Sequence, residues 1–207
     1  MPKIVDHGLR RKELMDSAWR VIARRGLSGA TMREVAAEAG FANGALKPYF
    51  PSKRDLMSAT YSHVFERTNE RVSAVVARRR GFAAVLAFAR EVLPLDQERL
   101  DEARAVIAFW QEAMMDPALA DAHEDSIDIW RGWLGDWLRQ AQEDGATRVG
   151  FEISVAVPTL LSFLLGAQVR ACLDSRDEGL DALEIQLEAL VDGWRSTRED
   201  HTESLPV

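Results

Sequence analysis

The chain has 207 residues, 47% of them apolar and 29% charged, a balance that fits a globular protein able to bury a core. Its single cysteine, Cys172, excludes an intrachain disulfide framework and fits a reducing compartment; set in an apolar helical pattern, it reads as a buried thiol. The formal charge of −7 is uneven: residues 1–56 carry +5 and residues 57–207 carry −12, with all four lysines (Lys3, Lys12, Lys47, Lys53) in the first part.

The field of a charged patch decays over about 8 Å at physiological salt, so a basic head on an acidic body can bind phosphate. Arg10-Arg11 is followed by charge rather than by an apolar run, and no secretory signal is expected. The most apolar stretch, "VAVPTLLSFLLGA" at 155–167, is too short to span a membrane and contains a proline. A cytoplasmic protein with no membrane partner is expected.

In chain order, helical periodicity appears nearly everywhere and strand signals are almost absent. The first helix is predicted over about 9–25, with Leu14, Ala18, Val21 and Ile22 on one face and Gly26 as its C-terminal cap. "TMRE" predicts a second helix from Thr31, with Glu34 reaching back to form a capping box. A three-residue break, Gly40-Phe41-Ala42, precedes a short third helix. "SKRD" at 52–55 can cap a fourth, less strongly because Asp is shorter than Glu. Five further helices are predicted at about 82–93, 97–115, 118–143, 151–174 and 180–196, broken at Pro94, Asp116-Pro117, Gly145 to Gly150 and "DSRDEG". The fold class is therefore all-α with about nine helices: a helix-turn-helix head over 1–56 and a larger helical domain over 57–207.

Two helices around a glycine turn form a helix-turn-helix, with Ala36 and Gly40 small enough for a close crossing. Val35, Ala36, Ala39, Phe41, Leu46, Tyr49 and Phe50 pack the unit onto the first helix. Arg33, Asn43, Gly44, Ala45 and Lys47 are left pointing outward. Arginine and lysine donate to guanine, asparagine pairs with adenine and an alanine methyl meets thymine, so this set suits a major groove. Thr31 and Lys53 stand at helix starts, where backbone amides face phosphate. The bland alternatives stay open: Arg33 as a solvated residue, Asn43 as a helix cap, Tyr49 as partly core. The stretch "LRRK" at 9–12 reads either as an exposed helix start or as a contact to the DNA backbone.

Residues 9–60, a quarter of the chain, resemble the DNA-binding head of the TetR (tetracycline-repressor) family. The resemblance rests on Thr31 capping the second helix, Gly40 opening the turn, the aromatic step Tyr49-Phe50 and Lys53 at the next helix start. It implies that Thr31, Arg33, Asn43, Lys47, Tyr49 and Lys53 touch DNA. Pro48 departs from the pattern. Inside a helix it removes the bond to Gly44 at a cost of roughly 3 kcal/mol. Either the third helix ends there and little is lost, or the proline itself meets sugar-phosphate or a thymine methyl. More loosely, "LPLD" at 93–96 through "AFWQEAMMDPALADAH" at 108–123 resembles the BetI-like subgroup of that family.

In the acidic body, Ile127, Trp130, Leu134, Trp137, Leu138 and Ala141 share one helical face, and Val106, Ile107, Trp110 and Met114 share another. Such stripes are usually core. The resemblance adds a ligand cavity, for which Phe65, Phe88, Phe109, Trp110, Met114, Trp130 and Trp137 are the candidate lining. The effector would be apolar or aromatic, or cationic because tryptophan faces attract cations. The helix over 151–174 is apolar nearly all round. With the last helix, whose stripe is Leu183, Leu187, Leu190, Val191 and Trp194, it is expected to build a homodimer interface.

No nucleophile elbow, phosphate loop or metal-ligand spacing is present, so no catalytic residue, metal or cofactor is assigned. The reading is a transcriptional regulator, most simply a repressor, that binds a near-palindromic operator and releases it on binding a small-molecule effector. The competing readings are an all-helical binding protein or enzyme with a vestigial helix-turn-helix, and a helical module acting through protein partners.

Overall fold

Spacings of three and four between apolar residues recur along the chain, and the computed structural model turns nearly all of them into helix. It describes residues 7–42, 44–173 and 180–196. Eight α-helices follow one another: α1 His7–Gly29, α2 Met32–Glu38, α3 Lys53–Val76, α4 Gly81–Val92, α5 Gln97–Ala113, α6 Pro117–Glu143, α7 Ile153–Leu173 and α8 Leu180–Asp192. Among the described residues no strand forms; a single bridge pairs Thr147 with Arg195. Gly26, at φ +67°, kinks α1 where its cap was expected.

The described residues divide into two compact units. The first takes in Met1–Asn69 and Gln97–Asp125, the second Glu70–Asp96 and Ser126–Val207.

In the first unit α1 lies against α2 and α5. Leu14, Ala18, Ile22, Val35, Leu46, Phe50, Leu56 and Phe109 share one core, each at most 2% exposed. The face that α5 contributes differs from the stripe of bulky residues read from sequence. It buries Ala105, Ala108, Phe109 and Ala113, leaving Val106, Ile107 and Trp110 half-buried and Met114 76% exposed. Alanines bring two helix axes close, so the small-residue face packs inward and the large residues flank it.

In the second unit α4 is buried on almost every residue. Gln168 of α7, itself buried, donates from Nε2 to the Val92 carbonyl at the end of α4 (3.2 Å). Arg90 of α4 pairs with Glu184 (2.7 Å) and Glu188 of α8. Five residues of the predicted α6 stripe are inside, Ile127, Trp130, Leu134, Leu138 and Ala141, while the sixth, Trp137, is half-buried.

Helix α7 falls within the 151–174 predicted for it, starting two residues later and ending one earlier. Its 21 residues include an 18-residue stretch of mean hydropathy 1.5, long and apolar enough to cross a membrane by length and composition alone, and 39% of that stretch is buried. Pro158 stands at its sixth residue, where the amide missing from the ring would have served Ser154. One side of α7 packs through Ala156, Val157, Leu160, Leu161 and Leu164. The other side is open along Val155, Thr159, Ser162, Gly166, Val169 and Leu173, a 4-3-4-3-4 spacing that makes one continuous seam.

Candidate nucleic-acid interface

Thr31 caps α2 as its sequence predicted. With φ −89° and ψ 154°, its hydroxyl accepts the Glu34 amide (3.2 Å), and the Glu34 carboxylate accepts the Thr31 amide (3.2 Å). A second capping box opens α3: Ser52 Oγ accepts from the Asp55 amide (3.1 Å) while Asp55 Oδ2 accepts from the Ser52 amide (2.9 Å). Both devices fix a helix start beside a residue nominated for phosphate, Thr31 itself and Lys53.

Helix α2 ends in a Schellman motif. Gly40, at φ +73°, is the left-handed residue; its amide donates to the Ala37 carbonyl (3.1 Å), and the Phe41 amide reaches back to Ala36 (2.8 Å). The motif turns the chain so that Phe41 packs against the core of the unit.

The expected third helix is absent as an α-helix: residues 44–49 are successive turns. Their amides donate three residues back, Ala45 to Ala42 (3.1 Å), Lys47 to Gly44 (3.3 Å) and Tyr49 to Leu46 (2.9 Å); only Phe50 reaches four back, to Leu46 (2.8 Å). Two residues account for this. Gly44 sits at φ +89°, outside helical space, and Pro48 has no amide to give the Gly44 carbonyl. Lys47 takes over that carbonyl, so the proline leaves nothing unsatisfied there. The tighter turns still put Leu46 and Phe50 inside (2% and 0% exposed) and leave Gly44, Lys47 and Pro48 exposed, with Ala45 and Tyr49 half-buried. Asn43 lies outside the described residues.

Electrostatics separates the cations of this unit into two groups. Arg20 and Arg24 of α1 both bind Glu38 (3.3 and 2.6 Å), and Arg25 binds Glu34 (2.6 Å). Arg33 and Lys47 are exposed and, among the described residues, face no carboxylate. The acids of α2 are thus occupied by α1, and the side chains nominated to read bases keep their charge for a ligand.

Hydrogen bonding from the Thr31 hydroxyl, then from its amide and from Arg25, holds the Glu34 carboxyl below the ordinary value of 4.5. The Arg24 guanidinium, with Arg20 beside it, does the same for Glu38. Because the folded value is depressed, this stabilisation is complete above the ordinary glutamate range and is lost as pH falls through the lowered value. Glu34→Gln is therefore expected to flatten the acid side of the stability curve below pH 4.5. Urea midpoints at a series of pH values test this; an acid limb identical to that of the parent would contradict it.

Three contacts at this face carry no local sequence signal. The Arg10 guanidinium lies 4.8 Å over the Phe41 ring and Arg11 lies 5.2 Å over Phe50, tying the start of α1 to the turn and the reading segment. The ring of His7 stands 5.6 Å from Tyr49. These depend on how α1 crosses the motif, which spacing along one helix does not encode.

The residues nominated for an effector are divided between the units. In the first, Tyr61 stacks on the fully buried Phe109 (4.0 Å, 12°) and lies 6.4 Å from Phe65, and its hydroxyl meets His123 Nδ1 at 2.9 Å. Trp110 presents an edge to His123 (5.8 Å), and its buried indole N–H has no partner among the described residues. In the second, buried Phe88 meets the edge of Trp130 at 5.2 Å and Trp137 at 5.9 Å. A groove of 330 Å³ between α1 and α3, lined by Arg11, Met15, Asp55, Ser62, His63 and Glu66 among others, includes none of the nominated residues.

Residues 82–195 match the family described as the BetI-type transcriptional repressor, C-terminal, and residues 14–60 match the bacterial regulatory proteins of the tetR family. The chain belongs to the TetR family. This TetR-family chain is 34% identical over 128 residues to the HTH-type transcriptional regulator PksA of Bacillus subtilis, covering 61% of this chain and 62% of that protein. It is 32% identical over 124 residues to the regulator BetI of Paraburkholderia phymatum, again 62% of the relative's length. The matched stretch therefore spans less than two thirds of these relatives. A transcriptional regulator from Rhodococcus sp. Rha1 superimposes with a TM-score of 0.75 at 27% identity, over 89% of this chain and 97% of that one. A regulator from Saccharomonospora viridis, solved in complex with choline, shares the fold at a TM-score of 0.85 and 21% identity, over 93% and 100%.

Proposed function

We propose that this TetR-family protein is a sequence-specific transcriptional repressor that leaves a near-palindromic operator when it binds a small effector. The observation that carries the reading is the exposed charge of Arg33 and Lys47, uncompensated among the described residues, beside two capped helix starts, while Arg20, Arg24 and Arg25 are neutralised within the fold. Reading is assigned to residues 1–56, with Thr31, Arg33, Asn43, Gly44, Ala45, Lys47, Tyr49 and Lys53 at the duplex. Effector binding and dimerisation are assigned to residues 57–207. The open seam of α7, with Ile185 of α8 (69% exposed), supports a two-fold pairing of these helices with their copies in the cytoplasm. Such pairing would also cover the apolar surface that makes α7 resemble a membrane span. An apolar, aromatic or cationic effector suits the aromatic faces both units present, and choline in the Saccharomonospora viridis regulator supplies one cation to try.

Fluorescence anisotropy on duplexes tiled across DNA flanking its own gene, against scrambled duplex, tests the reading. Tight binding to one tile, weakened by salt, is expected. Arg33→Ala should cost about 1–3 kcal/mol and relax sequence preference, whereas Lys53→Ala should weaken all duplexes alike and lower the salt slope by about 1. Choline added to the complex gives the first effector trial. Equal, weak binding to every duplex would sink the reading.

A further inference from the structure

Helices α3 and α5 of the first unit are held together at three levels. Near the start of α3, Arg54 pairs with Asp116 just beyond α5. Midway, Tyr61 stacks on Phe109. Further along, Arg67 pairs with Glu98 and lies 3.8 Å from Glu102, both in the first turns of α5. The order of the three levels makes the helices antiparallel, clasped towards both ends by ions.

Arg67 does more than close one clasp. Its guanidinium also reaches Asp16 of α1 (3.5 Å) and covers the ring of Trp19 of α1 at 4.7 Å. Asp16 is held in turn by His63 Nε2 at 2.7 Å, a side chain only 4% exposed. Carboxylates from α1 and α5 therefore converge on a cation supplied by α3. A planar fork with several donors and a stacking face can engage all of them at once, which an ammonium cannot. Upstream on α1, Arg10 and Arg11 rest on Phe41 and Phe50 of the reading unit. Contacts run from Glu98 and Glu102 through Arg67 to Asp16 and Trp19; the body of α1 carries them to Arg10 and Arg11, which rest on Phe41 and Phe50 on either side of the segment that would face bases.

We infer that Arg67 is a positioning residue for operator recognition: it sets α1, and through α1 the reading segment, according to the placement of α5. The inference rests on the DNA-binding reading above. Arg67 keeps its distance in sequence from every residue nominated to touch the duplex, so its loss leaves the cations of the reading face in place.

The test uses the full chain, the preferred duplex from the tiling and a scrambled one, with Arg67→Met, Arg67→Lys, Arg10→Ala and the double variant Arg67→Met with Arg10→Ala. Circular dichroism fixes a temperature at which all are folded; Arg67→Lys serves if Arg67→Met does not fold. Arg67→Met is expected to lose about tenfold in affinity for the preferred duplex with scrambled-duplex affinity unchanged, and Arg67→Lys about threefold. The double variant should lose clearly less than the product of the two single losses, because both act through α1. An unchanged ratio of specific to scrambled binding, or strictly multiplicative losses, would overturn the inference while leaving the DNA-binding reading intact. Failure of the parent protein to prefer any duplex would overturn both.

Discussion

Phe109→Ala is expected to lower stability by about 3–5 kcal/mol. Phe109 is fully buried, and its ring is stacked face to face on Tyr61 at 4.0 Å. Truncation removes that stacking, worth about 0.5–1.5 kcal/mol beyond burial, and leaves a cavity between helices that cannot close without losing other contacts. The alanine faces beside it, Ala105, Ala108 and Ala113, have no side chain long enough to fill the space. Phe109 shares its core with Leu14, Leu46 and Phe50, so the helix-turn-helix should lose stability together with α5. Denaturant midpoints read from the whole far-ultraviolet signal, and from amide exchange in residues 14–50, check this. A loss confined to α5, with exchange in the head unchanged, would show that the shared core is not cooperative.

Gly166→Glu is expected to convert the proposed dimer to monomer and to abolish operator binding. Gly166 lies midway along the open seam of α7, and a Cβ built on it meets nothing within 4 Å. The protomer should therefore accept the substitution with little change beyond the modest gain of replacing a mid-helix glycine. In the pairing proposed, the same carboxylate faces its own copy across a two-fold axis in an apolar seam. An unpaired buried charge costs several kcal/mol, which moves a micromolar association out of reach at ordinary concentrations. A monomer offers one reading unit, and half-site contacts alone leave only the weak, salt-sensitive attraction to phosphate. Sedimentation and anisotropy on the same sample check both halves of this expectation. A dimeric mass for the variant would place the interface elsewhere.

What could be read from residue order was what local chemistry dictates. Thr31 with Glu34, and Ser52 with Asp55, gave both helix starts at the reading face, because a capping box is complete within four residues. The stripe Ile127, Trp130, Leu134, Leu138, Ala141 gave the inner face of α6. The reading segment was expected as helix and is a run of turns. Pro48 signalled the difficulty, but the decisive residue is Gly44, whose φ of +89° depends on how the segment is anchored at Leu46 and Phe50. On α5 the bulky apolar residues looked like the buried face, and small ones took that place because α1 approaches closely. The convergence of Asp16, His63, Arg67 and Glu98 could not be seen at all, since those residues are up to 82 positions apart and each alone is an ordinary charged or polar residue on a helix.

The first unit is discontinuous in sequence, since Gln97–Asp125 completes what Met1–Asn69 begins. That order matters to a chain made from its N-terminus. While only the first 69 residues exist, α1 has no α5 against which to bury its apolar side, and Phe109 and Leu119 are still unmade. Closing the intervening loop adds little entropy, because that cost rises only as the logarithm of length. The delay, however, is real at roughly 5–20 residues per second. The end that is proposed to meet DNA is synthesised first and finished late, so for several seconds it is a partly covered surface dependent on residues still to come.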